Sequence, residues 1–189
     1  MKSHPKQKLK KEHRRYKIQN KIKFKQPFLR FWFRYIYPSQ ELIAQGAFEE
    51  ILDFILGDLE NFVSFTFEEL SIELLKEKFP SYTSSGSYWD RKVEMDILLE
   101  FPTGKRIVGE CKWKNSKICK KTLTSLIKKS RIAGIEADRY ALFSKSGFSN
   151  ELLKSKESDI LLFDLEDFME WSQTSAYKKR EKIPYSFSF

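Results

Sequence analysis

After Pro80 the apolar residues of this chain stop recurring every third or fourth position and begin to recur every second one, and that change of period restricts the fold more than any other feature. Upstream, Phe48, Ile51, Leu52, Ile55 and Leu59 lie on one stripe of a helix over 47–59, whose end Gly57 weakens. Phe67, Leu70, Leu74 and Leu75 form the inward side of a second helix over 65–79, closed by Pro80. Downstream, the run from Ser81 to Ser87 is loop-forming, and Val93, Met95, Ile97, Leu99 and Phe101 then alternate with Glu94, Asp96, Leu98 and Glu100 as in a strand. Pro102-Thr103-Gly104-Lys105 turns the chain back into a second strand over 106–113. A helix over 120–133 follows, with Leu123, Leu126, Ile127 and Ile132 apolar, a basic outer side, and Gly134 where it ends. Short apolar strands are expected over 139–144 and 159–163, with helical pieces near 149–156 and 165–172. This order implies an α/β (α+β) fold, a central mixed sheet flanked by helices.

The charge is unevenly placed. The formal net charge is +9, yet residues 1–25 alone carry eleven Lys or Arg against Glu12, so the remainder of the chain is close to neutral. Attraction to phosphate is therefore expected mainly from a basic N-terminal arm, expected to be flexible, which either contacts nucleic acid or is simply solvated. The stretch 28–37 crowds aromatic rings onto both faces of any helix and is expected to be buried against the body of the chain. Interrupted by Arg30 and Arg34, it is too short to span a bilayer, and no secretory signal precedes it. Cys111 and Cys119 form neither a CxxC pair nor a zinc-ligand spacing, which suits a reducing cytoplasm.

The only histidines are His4 and His13, both in the arm, so the body has no His-based acid, base or metal site. The glycines form neither a phosphate-binding P-loop nor a dinucleotide fingerprint, and these residues hold no ATPase motif. What remains is a carboxylate on one hairpin strand and a carboxylate-x-lysine on the next: Asp96, then Glu110-Cys111-Lys112. Alternation points Glu110 and Lys112 to one face, and strands about 4.8 Å apart bring Asp96 within reach of the same ion. Two carboxylates and a backbone carbonyl suit Mg²⁺, which takes oxygen ligands and keeps several waters. The alternative is a wet hairpin face on which these side chains form cross-strand ion pairs.

At these residues the sequence resembles the PD-(D/E)xK nuclease superfamily, with its restriction-endonuclease-like core of helix, three strands, helix and strand. That order matches 65–79, 87–92, 93–101, 106–113, 120–133 and 139–144. More narrowly, Pro27 to Tyr35, Phe67-Glu68-Glu69, Trp89-Asp90-Arg91-Lys92, Glu94-Met95-Asp96-Ile97, Gly109 to Trp113 and Leu142 to Phe148 resemble domain of unknown function 234. That domain usually ends archaeal and bacterial AAA-type ATPases. The resemblance implies a Mg²⁺- or Mn²⁺-dependent DNA endonuclease in which Asp96, Glu110 and the Cys111 main-chain carbonyl hold the metal. Glu68 would be an auxiliary ligand, and Lys112 would position the attacking water and steady the charge on phosphorus. Trp89, Arg91, Lys92 and Lys145 would contact nucleic acid. The alternative it leaves is a non-catalytic module that binds nucleic acid or an AAA-type ATPase supplied in trans, since the basic arm here stands where an ATPase usually precedes the domain. The expected organisation is an arm over 1–25, an aromatic-rich helical segment over 26–62 packing on the core, a nuclease-like domain over 63–172 and a tail over 173–189.

Overall fold

The computed structural model describes residues 24, 26–155 and 158–173. The basic arm, apart from Phe24, and the tail, apart from Gln173, lie outside the described residues. The chain enters through α1 (Pro27–Phe31), a π turn (Trp32–Ile36), a 3-10 turn (Tyr37–Ser39) and α2 (Gln40–Ala44). One long helix, α3 (Phe48–Lys78), leads into β1 (Ser84–Trp89), β2 (Glu94–Glu100) and β3 (Arg106–Lys112). Then come α4 (Lys120–Ala133), β4 (Arg139–Ser144), α5 (Asn150–Lys154), β5 (Ile160–Phe163) and α6 (Leu165–Gln173).

The five strands form one mixed sheet in the order β1-β2-β3-β4-β5. β1, β2 and β3 pair antiparallel, and β3, β4 and β5 pair parallel. On one face Phe67, Ile72, Leu74 and Leu75 of α3, with Phe168 and Trp171 of α6, pack on Ile97, Leu99, Ile107, Cys111, Ala141 and Phe143. On the other, Leu123 and Leu126 of α4 and Leu152 of α5 cover Tyr88, Met95, Val108 and Leu142. The sheet is thus sandwiched, and β3 has a strand on either side and a helix on each face.

Three expectations are corrected. The helices expected over 47–59 and 65–79 are one helix of 31 residues, and the expected boundary between segments at 62/63 falls inside it. No proline interrupts the chain between Ala47 and Pro80, and a single interior glycine, Gly57, costs only about 1 kcal/mol, which packing outweighs. The loop expected through Ser87 instead enters β1 at Ser84, where Ser84 pairs with Glu100 and Ser85 with Leu99, because an edge strand is set by its neighbour more than by propensity. The aromatic segment is only partly buried. Tyr35 is fully covered, whereas Phe28, Phe33 and Tyr37 are exposed, as are Phe48 and Leu52 of the helical stripe. Rings on both faces of a short helix cannot all meet the one face that α3 offers.

That segment is nevertheless clasped to α3. Arg30 donates both terminal nitrogens to the two oxygens of Glu69, at 2.5 and 2.7 Å. Asp58 accepts from Arg34 and from the Tyr35 hydroxyl, which holds its carboxyl well below the usual range.

Candidate metal and phosphate site

The site forms where the β2–β3 ladder ends. The last paired residues are Ile97 and Gly109, and one residue of β1, Ser87, faces two of β2, Asp96 and Ile97, between the flanking pairs Gly86–Leu98 and Tyr88–Met95. This bulge shifts the alternation. Met95 packs on the α4 face while Ile97 packs on the α3 face, and Asp96 is the residue left at the switch. Its Oδ2 accepts the Cys111 N–H at 2.8 Å, in the place where a ladder partner would stand. In an extended strand a residue's N–H and C=O turn to the same neighbour, so the Cys111 carbonyl also faces the β2 side. Close approach here requires Gly109: a Cβ on it would lie 3.0 Å from the Ile97 Cβ and 3.2 Å from the Ala141 carbonyl oxygen.

Glu110 is 7% exposed on the α4 side of β3. Its Oε1 accepts from Lys112 Nζ at 2.7 Å, and Lys129 Nζ reaches both carboxylate oxygens at 2.9 and 2.7 Å. Asp96 has no ammonium at bonding distance; burial first, and then the negative charge of Glu110, push its carboxyl up to about 6. Burial works to lower the Lys112 ammonium, but the bond to Glu110 and the charges of Glu110 and Asp96 prevail and leave it raised, so it stays cationic at neutral pH. The group thus holds two carboxylates and two ammoniums, with one carboxylate short of a partner.

The other expected residues are placed around this centre. Glu68 is half-buried on α3, and its charge, after burial and Asp96, helps raise the pKa of the Cys111 thiol. No cluster of three or more His, Cys, Asp or Glu side chains suited to a metal exists among the described residues, so Glu68 does not join Asp96 and Glu110 in one. Trp89 ends β1, and Arg91 and Lys92 are exposed in the β1–β2 turn, where Asp90 accepts the Lys92 and Val93 N–H groups. Lys145 stands over the Trp113 ring at 4.9 Å, pairs with Glu60 at 3.2 Å and donates its N–H to the Lys112 carbonyl. Lys129 is the residue that sequence reasoning missed, having been counted with the basic outer side of its helix. Its signal was spacing, three residues beyond buried Leu126, on the edge of the stripe that meets the sheet.

Mg²⁺ is commonly held by one or two carboxylates with water filling the remaining positions, and Asp96, Glu110 and the Cys111 carbonyl are the oxygen donors of that kind gathered here, with both Glu110 oxygens taken by lysines. Burial and the Glu110 charge raise the Asp96 carboxyl, and a cation bound beside it would lower it again. A pocket of about 450 Å³ lined by Phe79, Phe101, Arg106 and Asp138 lies elsewhere, at the start of β3. No helix among the described residues is long and apolar enough to cross a membrane.

Comparison with known proteins adds the following. Residues 32–127 match domain of unknown function 234, described as archaeal and bacterial proteins of unknown function. An uncharacterized protein of Methanocaldococcus jannaschii, MJECL04, is 35% identical over 156 residues, which cover 76% of this chain and 34% of that protein. The chain therefore spans about a third of the length of the curated relative it matches. A crystal structure of a protein of unknown function, AF1548, aligns with a TM-score of 0.39 at 20% identity over 59% of this chain and 60% of that one.

Proposed function

The chain belongs to the family known as domain of unknown function 234, and from its site we propose that it is a Mg²⁺- or Mn²⁺-dependent nuclease domain of the PD-(D/E)xK type acting on DNA. The observation that carries this reading is the contact of the Asp96 carboxylate with the Cys111 N–H, which sets Asp96 against the residue between Glu110 and Lys112. Asp96, Glu110 and the Cys111 carbonyl would hold the ion. When bound, the ion would supply Lewis-acid polarisation of a phosphoryl oxygen and lower the pKa of a coordinated water.

The chain's own contribution is positioning and charge. Lys112 keeps its proton, so it acts as a fixed cation beside the reacting phosphorus rather than as a base. Held on Glu110 Oε1, it is preorganised and needs no rearrangement as negative charge grows on the phosphoryl oxygens. Water adds to phosphorus and one ester P–O bond breaks; one proton of that water passes by way of solvent to the leaving oxygen, which departs as a hydroxyl, and its other proton goes with the new phosphomonoester. Burial of Glu110 and partial burial of Asp96 limit the screening of these charges by bulk water.

A second reading, a non-catalytic module that binds nucleic acid or an AAA-type ATPase, is favoured by one observation: both oxygens of Glu110 already carry lysine ammoniums. The two separate by Mg²⁺- or Mn²⁺-dependent nicking of plasmid and branched DNA by the full chain and by Lys112→Ala. Nicking by wild type that is lost in the variant supports the nuclease. Inactivity of both with DNA binding retained supports the module.

A further inference from the structure

We infer that the exposed face of α4 and the loop before it form a track for the phosphate backbone of duplex DNA, leading it to the Glu110–Lys112 edge of the sheet. The inference takes the kind of nucleic acid from the nuclease reading, but the track itself stands on charge and exposure.

Residues 111–135 contain eight Lys or Arg and no Asp or Glu. By contrast α3, on the opposite face of the sheet, carries nine acids and two lysines over Phe48–Lys78. In a body that is neutral in sum, the unpaired positive charge is thus gathered on the α4 side of the sheet, the side that attracts a polyanion. Of the eight cations, Lys112 and Lys129 are half-buried on Glu110. The other six, Lys114, Lys117, Lys120, Lys121, Lys128 and Arg131, are exposed, and among the described residues none of them forms an ion pair.

On α4, at about 100° per residue, Lys120, Lys121, Lys128 and Arg131 fall within an arc of roughly 100°, on the side away from buried Leu123, Leu126, Ser130 and Ala133. They extend about 16 Å along the axis, which at about 3.4 Å of rise per phosphate spans roughly five phosphates of one strand. Lys129 lies beside this row and is bonded to Glu110, so the row runs directly to the candidate centre.

The same face argues against other anionic partners. A helix that lies on a membrane needs an apolar side to insert, and the apolar side of α4 is buried against Val108 and Leu142. Single strands are usually gripped by stacking on rings, and none of the six residues or their exposed neighbours Thr124 and Ser125 offers one.

The test measures binding of a 30-base-pair DNA duplex to the full chain by fluorescence anisotropy in EDTA, across a salt series, so that no cleavage is needed. Lys121→Gln with Lys128→Gln is compared with a charge-matched pair, Lys78→Gln with Lys105→Gln, both exposed and away from the track. The α4 pair is expected to lower the slope of log K against log salt by about 1.8, and affinity at 0.15 M salt roughly thirtyfold, at about 0.9 per phosphate contact. The control pair should change affinity less than twofold. Acetylation footprinting of the wild type should show Lys121 and Lys128 protected by the duplex and Lys78 and Lys105 not, which keeps the test decisive should a variant fold poorly. Equal loss in both pairs, no protection on α4, or stronger binding to phosphatidylserine vesicles or to single strands through the same lysines would overturn the inference. Duplex binding through α4 in EDTA, together with no nicking by the wild type when Mg²⁺ or Mn²⁺ is supplied, would leave the track standing and refute the nuclease reading.

Discussion

Replacing Asp96 with Asn should make the protein more stable at neutral pH, even though it removes a residue central to the site. In the folded chain the Asp96 carboxyl is raised from 3.8 to about 6, first by burial and then by Glu110. The sign follows from proton linkage. Between pH 3.8 and about 6 the folded state binds a proton that the unfolded state has released, so the ionised Asp96 penalises the fold fully above that window and not at all below it. At about 1.4 kcal/mol per power of ten in proton affinity, the penalty approaches about 3 kcal/mol as an upper estimate. Asn keeps an oxygen for the Cys111 N–H and carries no charge. Urea denaturation in EDTA, followed by tryptophan fluorescence, should show Asp96→Asn gaining up to about 3 kcal/mol over wild type at pH 7.5, with the gap closing toward pH 4. Added Mg²⁺ should stabilise wild type and not the variant. A gap independent of pH, or a variant less stable at pH 7.5, would refute the assignment of Asp96 as a half-buried, under-compensated acid.

Gly109→Ala should destabilise the fold by roughly 1–3 kcal/mol, read as a lower urea midpoint, because the added methyl meets Ile97 and the Ala141 carbonyl. Lys129→Gln should bind Mn²⁺ tighter by about tenfold, measured by calorimetry, since a charge-assisted bond worth roughly 1.5–3 kcal/mol no longer competes for Glu110. Weaker binding would mean that Lys129 instead holds Glu110 in its binding pose. Iodoacetamide on the native protein should label exposed Cys119 and spare Cys111, whose thiol is buried and raised, as peptide mass mapping would show.

The period change at Pro80 made the sheet legible, and Val93–Phe101 followed by a turn and Arg106–Trp113 gave the hairpin nearly as it stands. Alternation also placed Glu110 and Val108 opposite Cys111 and Ile107, as the two cores show. What alternation could not convey was the bulge. It treated Met95 and Ile97 as sharing a face, whereas the extra residue opposite Ser87 separates them and frees Asp96 to reach Cys111. Backbone insertions of this kind are set by the pairing of two strands, not by the composition of one. The start of β1 at Ser84 and the uninterrupted α3 were hidden for a related reason, since neighbours and length outweighed local preference. Lys129 escaped because a lysine at a stripe's edge looks solvated until its partner on another element is known.

The paired carboxylates are most directly tested by Mn²⁺ titration at pH 7.5, with free ion followed by its paramagnetic resonance signal. One ion per chain is expected for wild type, with binding lost in both Asp96→Asn and Glu110→Gln. Absence of a bound ion, or an ion retained unchanged in both variants, would contradict a metal centre built on these two acids.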